Sequence, residues 1–157
     1  MSTERSLTRR LLRQRESPPT WLGLFLVLAW AQSHWLPVLP SGPVLRLAGT
    51  GLILAGIAIF ALALAEFRRH RTTVLPRETP NRLITGGIYR FSRNPIYLAD
   101  ALILSGAALR WDAAALLLVP LFMSIIRTRF IRGEEAGLRA VFGSEFDAYA
   151  ARVRRWI

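Results

Sequence analysis

The sequence predicts an all-α integral membrane fold: about four transmembrane helices, the last two a helical hairpin, followed by amphipathic cytoplasmic helices. Three observations predict it. Apolar residues gather into four runs, at about 21–39, 44–67, 96–109 and 113–130, long enough to point to a bilayer. Hydrophobic residues make up 52% of the 157-residue chain, with a mean hydropathy of +0.31, above what a soluble domain ordinarily carries. All 21 basic residues are arginine and the net charge is +11. With four spans, 19 of those 21 fall on one side and only Arg46 and Arg110 lie opposite. The positive-inside rule makes the arginine-rich side, with both termini, cytoplasmic, as in a bacterial cytoplasmic membrane.

Residues 1–20 read as a basic arm, with Arg5, Arg9, Arg10, Arg13 and Arg15 ahead of Pro18-Pro19, suited to anionic headgroups. The remainder, 21–157, reads as one membrane domain. Trp21 to Leu39 is apolar apart from Gln32, Ser33 and His34, and Trp21 and Trp35 stand where an interfacial aromatic belt lies. A cleaved signal peptide is the rival reading, because Ala29-Trp30-Ala31 resembles a cleavage site, but apolarity continues beyond it. Pro37, Pro40, Gly42 and Pro43 make a turn, and in the run Val44 to Phe67 the residues Gly49, Gly51 and Gly56 allow close helix packing. The polar stretch Arg68 to Asn94, broken by Pro76, Pro80, Gly86 and Gly87, is too long to be idle. Ile96–Leu109 and Ala113–Ile126 are joined by Arg110-Trp111-Asp112 as a hairpin. Both are shorter than the ~20 residues of a full span, and Pro120 predicts a kink in the second.

From Arg127 onward the chain reads as amphipathic helix, broken at Gly143, with Ser144 and Asp147 three residues later predicting a capped restart. Phe146, Tyr149, Ala150, Val153 and Trp156 then share one face, opposed by Arg152, Arg154 and Arg155. That face suits either the headgroup region or the protein's own core. The lack of Cys excludes disulfides, thiolate metal sites and Cys nucleophiles. No metal-ligand cluster and no nucleic-acid motif stands out, and juxtamembrane arginine is explained by topology and lipid.

Two segments carry candidate chemistry: 71–97, and 127–157 with its Glu134-Glu135 pair. Gly86-Gly87 lets the backbone approach a ligand, and Pro95 at a helix start leaves free N–H groups for a carboxylate. Glu134 suits an ammonium group, with Arg82 and the turn Asn94-Pro95-Ile96-Tyr97 holding polar atoms opposite. A zwitterionic ligand fits such a pair. The bland reading is a solvated helix face, with Glu135 and Arg139 an i, i+4 pair.

Gly-x-Tyr, Arg-Asn-Pro-x-Tyr, a helical hairpin, Glu-Glu, Phe-Gly and a terminal Val-Arg-Arg-Trp, in that order, resemble the isoprenylcysteine carboxyl methyltransferase and phospholipid methyltransferase superfamily over about residues 66–157. The resemblance implies a cytoplasm-facing pocket for S-adenosylmethionine, formed by Asn81, Arg82, Leu83 and Ile84, by Gly87 and Tyr89, by Asn94, Pro95, Ile96 and Tyr97, and by Glu134. Glu135 belongs to the same motif, with fixing of its helix through Arg139 as the alternative role. It further implies methyl transfer to a membrane-embedded or amphiphilic acceptor at a carboxyl, amine or thiol. Two departures stand out. Asn94 replaces the His of the eukaryotic carboxyl methyltransferases and carries no proton at neutral pH. Phe130 replaces their substrate-binding Arg, leaving Arg129 or Arg132 as substitutes on the acceptor side.

Asp100 lies inside an apolar run with Tyr97 one turn and Arg93 two turns before it. It pairs inside the bundle, lines the substrate entrance or accepts a substrate proton. It also resembles an acid at this offset in the sterol-reductase group, which keeps an NADPH-dependent reductase as the alternative. A non-enzymatic membrane scaffold is the second.

Overall fold

The computed structural model describes residues 17–70 and 82–157. The basic arm through residue 16 and the loop residues 71–81, Asn81 among them, lie outside the described residues. In chain order the helices are α1 (Pro18–Trp35), α2 (Pro43–His70), α3 (Pro95–Trp111), α4 (Leu118–Ile126), α5 (Arg132–Phe142) and α6 (Ser144–Arg152). Tight 3-10 turns cover Gly87–Arg90 and Ala113–Leu117, and a π-helical turn covers Arg127–Ile131. The chain therefore runs helically without a break from Ala113 to Phe142.

Prolines set the starts. Pro18, Pro43 and Pro95 each open a helix, where the missing amide hydrogen costs no bond and the fixed φ is already helical. α1 stops at Trp35, short of the Leu39 expected from hydropathy, because Pro37 lies two residues beyond its end. α2 runs three residues past Phe67, to His70.

α2 packs along α3 through small residues, and α1 lies against α3 and α4. A Cβ on Gly106 would stand 2.5 Å from the Gly49 carbonyl oxygen, and one on Gly56 would stand 2.8 Å from that of Ala99. The two backbones thus approach as closely as glycine permits. Gly49 and Gly56 have the role expected of them, whereas Gly51 faces away, with nothing within 4 Å of a Cβ placed there.

The hairpin forms, and its corner is a single buried residue. The Asp112 carboxylate accepts the amide hydrogens of Val38 (2.8 Å), Leu39 (3.0 Å) and Ala114 (2.9 Å), and Ala113 N–H donates to Leu39 O at 2.9 Å. One acidic side chain thereby ties the α1–α2 turn to the α3–α4 corner. The second arm is not a short run: 3-10, α, π and α segments join into 30 helical residues. Pro120 falls in the first turn of α4, where an absent amide hydrogen leaves no α-helical bond open.

Among the described residues two helical segments are long and apolar enough to cross a bilayer, α2 and Ala113–Phe142, not the four expected. α1 spends its 18 residues partly on Pro18, Pro19 and Thr20 and on Gln32, Ser33 and His34. α3 has 17 residues, about 25 Å at 1.5 Å per residue against a hydrocarbon core of about 30 Å, and carries Asp100. The apolar faces of the two long segments point outward: Leu47 and Leu54 on α2 are 75% and 61% exposed, and Leu117 is 79% exposed. A soluble protein does not leave its core helices uncovered in this way, and the chain is an integral membrane protein.

The core gathers Phe25, Tyr97, Leu104, Phe122, Ile126, Phe130 and Ile131, with Trp21 and Trp156 packed at its edge. Gly143, at φ 51°, turns the chain between α5 and α6. No side chain caps α6 there; the Asp147 carboxylate instead accepts from Arg139 Nε at 2.7 Å. Phe146 and Tyr149 are buried, and Ala150, Val153 and Trp156 partly so. The apolar face of the tail is therefore spent on the protein's own core.

Candidate active site

The charged stretch that follows the apolar part of Ala113–Phe142 meets the start of α3. Tyr97 Oη donates to Glu134 Oε1 at 2.7 Å, joining two of the motif positions across 37 residues of sequence. A π-helical turn, bonded i to i+5, lies just before the pair; Phe130 and Ile131 within it are buried in the core, while the half-buried Glu134 side chain beyond it reaches Tyr97. Burial raises the Glu134 carboxyl; the Tyr97 hydrogen bond opposes the rise and the Glu135 charge adds to it, leaving it above the ordinary carboxylate value.

Tyr89 belongs to the same cluster. Its ring lies edge-on to Phe67 at 5.9 Å, and its carbonyl accepts from Tyr149 Oη at 2.7 Å. Burial raises its phenol well above normal, and the charges of Tyr149, Glu134 and Glu66 add to the rise. The Glu134 charge thus reaches the Tyr89 phenol.

Glu135 points elsewhere. Its carboxylate accepts from Arg155 Nε at 3.0 Å and Nη2 at 2.5 Å, and Arg93 Nη2 lies 3.5 Å away. The expected Glu135–Arg139 pair does not form, because Arg139 turns to Asp147. Burial pushes the Glu135 carboxyl up, but the Arg155 hydrogen bond and the charges of Arg93 and Arg155 outweigh it, and the net shift is downward.

The terminal segment is laced to the turn before α3. Arg93 N–H donates to Arg154 O at 3.0 Å, and Ser92 Oγ and Asn94 Nδ2 donate to Arg155 O at 3.3 and 3.1 Å. Asn94 is therefore held by a hydrogen bond from its side-chain amide to the terminal segment. The backbone contribution of residues 154 and 155 was not legible in the sequence, since carbonyl acceptors leave no residue signature. The Val-Arg-Arg-Trp ending was the one available pointer.

The other candidate residues divide. Ile84 is buried with Ala63 and Tyr89, and Ile96 packs at the edge of that cluster. Pro95 is buried, Leu83 half-buried and Arg82 exposed. Gly87 takes φ 55°, and a Cβ there would collide with the Glu66 carboxylate of α2. The close approach at Gly87 is thus made by a side chain of the protein, one that the sequence did not single out. Glu66 Oε2 also lies 3.5 Å from His70 Nδ1.

Asp100 is buried, three residues after Tyr97 on α3. Arg93 precedes the helix and turns to Glu135, so the Arg93–Tyr97–Asp100 face expected from the sequence does not exist. The Phe130 ring lies 6.5 Å from the Tyr97 ring. Arg129 places its guanidinium over the Trp21 ring at 5.3 Å, and Arg132 is exposed.

A family model described as phospholipid methyltransferase matches residues 44–145, about two thirds of the chain, including Gly87, Tyr89, Asn94, Tyr97, Glu134 and Glu135. The chain belongs to the phospholipid methyltransferase family. It is accordingly an S-adenosylmethionine-dependent methyltransferase of the isoprenylcysteine-methyltransferase type, acting on a lipid or amphiphilic acceptor. The match supports methyl transfer over both the NADPH-dependent reductase and the non-enzymatic scaffold. No curated protein and no solved structure matches the chain.

Proposed function

We propose that S-adenosylmethionine binds at the cluster of Tyr89, Tyr97 and Glu134, on the cytoplasmic side, and that the acceptor arrives laterally from the bilayer. The Tyr97–Glu134 hydrogen bond supports this most directly. It holds a half-buried carboxylate in one orientation, as pairing with an ammonium group requires. Tyr89 and Tyr97 supply aromatic surface suited to a sulfonium. Arg82, Leu83, Ile84 and Gly87, with Asn81 beyond the described residues, form the rest of the rim, and Asn94, Pro95 and Ile96 form the bend opposite.

When bound, the donor supplies an electrophilic methyl group, and no covalent enzyme intermediate is needed. The chain's residues then have three tasks: to orient the donor, to exclude water and to align the acceptor. Glu135, held by Arg155 and Arg93, fixes the helix that carries Glu134 and keeps the terminal segment over the site. A carboxylate acceptor needs no base, whereas an amine or thiol has to lose a proton. Asp100, buried one turn from Tyr97, is the residue for that second case, with Arg129 and Arg132 on the acceptor side.

The same proposal takes α1 and α3 as additional, shorter crossings packed against α2 and α4, giving four in all with both termini cytoplasmic. The test is direct titration of S-adenosylmethionine in detergent. Glu134→Gln and Tyr97→Ala each weaken binding at least tenfold, about 1.4 kcal/mol, while Asp100→Asn slows turnover and leaves donor affinity unchanged. Unaltered affinity in both of the first two variants removes the site.

A further inference from the structure

Of the 21 arginines, only Arg46 and Arg110 were expected on the side away from the Glu pair, and the structure brings these two to one opening. Arg46 lies in the first turn of α2 and Arg110 in the last turn of α3, at the opposite end of α3 from Tyr97. The opening, about 390 Å³, is lined by both arginines with His34, Ser33, Trp30 and Trp111. Trp30 and His34 stack at 5.3 Å between centroids, 7° from parallel, which gives the opening a flat aromatic wall.

Each guanidinium is oriented but mostly unspent. Arg46 Nε donates to Ser41 O at 3.0 Å, and Arg110 Nη1 donates to Thr50 Oγ1. Each bond uses one of five N–H groups, and among the described residues neither arginine forms an ion pair. Asp112, the acid nearest in sequence, has its oxygens committed to the amides of Val38, Leu39 and Ala114. Two cations facing one opening repel each other, and arginine on this side of a membrane runs against the usual charge distribution. Both costs are removed by an anion seated between the two forks. Trp30 and Trp111 mark the depth at which aromatic side chains meet headgroups, and the planar fork of a guanidinium pairs bidentately with phosphate oxygens.

We infer that Arg46, Arg110 and His34 form a binding site for the phosphate of a phospholipid headgroup, on the membrane face opposite the methyl-transfer site. The site is separate from the Tyr97–Glu134 cluster and stands whether or not that cluster binds the donor.

Native mass spectrometry of the detergent-solubilised full chain with dioctanoyl phosphatidylglycerol tests it. The wild type retains one lipid that the Arg46→Gln/Arg110→Gln variant binds at least about tenfold more weakly, as expected from the loss of two charge-assisted contacts. Dioctanoylglycerol, which has no phosphate, does not displace that lipid. Inorganic phosphate displaces it only at roughly hundredfold higher concentration, since it gains nothing from apolar burial. Arg46→Lys, which keeps the charge and loses the fork, binds with intermediate affinity. Both arginines are exposed, so the variants fold, and an unchanged circular dichroism spectrum checks this. Retention within twofold in the double variant, equal competition by dioctanoylglycerol, or displacement by inorganic phosphate at the lipid's own concentration overturns the proposal.

Discussion

Replacing Glu135 by Gln is the most informative single perturbation, because one carboxylate holds two arginines that come from distant parts of the chain. Arg155 approaches through two nitrogens, at 3.0 and 2.5 Å, and Arg93 through one at 3.5 Å. The side chains of Glu135 and Arg93 are 12% and 14% exposed and that of Arg155 is 32% exposed. A fully buried pair broken on one side costs about 3–5 kcal/mol, and the partial exposure of Arg155 brings the expectation down. Glutamine keeps one acceptor but leaves two guanidiniums without a counter-charge, for a loss of about 2 kcal/mol. That is roughly a thirtyfold change in the folded-to-unfolded ratio and a fall of roughly 4–8 °C in Tm. Thermal unfolding in detergent measures it. Arg155→Gln costs a similar amount, and the double variant costs little more than either single change, because each already removes the shared interaction. The pair also titrates. A carboxyl whose folded pKa is lowered contributes its full stabilisation above the unfolded value near ~4.3 and loses it as pH falls through the lowered folded value. Glu135→Gln therefore flattens the acid side of the stability profile. Strict additivity of the two single variants, or an acid limb identical to wild type, refutes the clamp.

Three further outcomes follow from the same structure. Gly106→Ala sets a methyl carbon 2.5 Å from the Gly49 carbonyl, and since backbone cannot give way without parting α2 from α3, thermal denaturation is expected to report a loss of about 1–3 kcal/mol. Asp112→Ala orphans the amides of Val38, Leu39 and Ala114 together; at ~1–3 kcal/mol for each unsatisfied group, the same assay is expected to report at least about 3 kcal/mol, and a loss under 1 would mean water replaces the carboxylate. Because the Glu134 carboxyl lies above its ordinary value, donor affinity is expected to weaken as pH falls through that raised value, sooner than for an exposed carboxylate, and a pH series of titrations should lose this dependence in Glu134→Gln.

Much of the helical layout was legible along the chain because it rests on local rules. Pro95 was legible as a helix start and the Pro37–Pro43 turn as a break between the first two runs, whereas Pro18 and Pro43 themselves open helices only in the structure; glycine at 143 marks a break that a short-range reading finds. The spans were less legible. Counting apolar residues joined Leu36–Leu39 to α1; helix from Arg127 to the break at Gly143 was legible, but not that it continues the hairpin's second arm without interruption. The π-helical turn at Arg127–Ile131 has no sequence signature at all, and the pairing of Glu135 with Arg155 and of Arg139 with Asp147 depends on how the terminal segment and the last helix pack.

By itself the sequence determined that this protein lives in a membrane, that a helix begins at Pro95, and that Gly-x-Tyr, Arg-Asn-Pro-x-Tyr and Glu-Glu resemble a methyl-transferring family. These follow from side-chain chemistry and spacing, which a linear chain displays openly. Only the tertiary structure decided which partner each polar group takes: Glu134 with Tyr97, Glu135 with Arg155, Gly87 against Glu66, and Arg46 beside Arg110. Such pairings join residues up to 64 positions apart, and a charge in a partly desolvated place takes whichever neighbour the packed helices bring within about 3 Å.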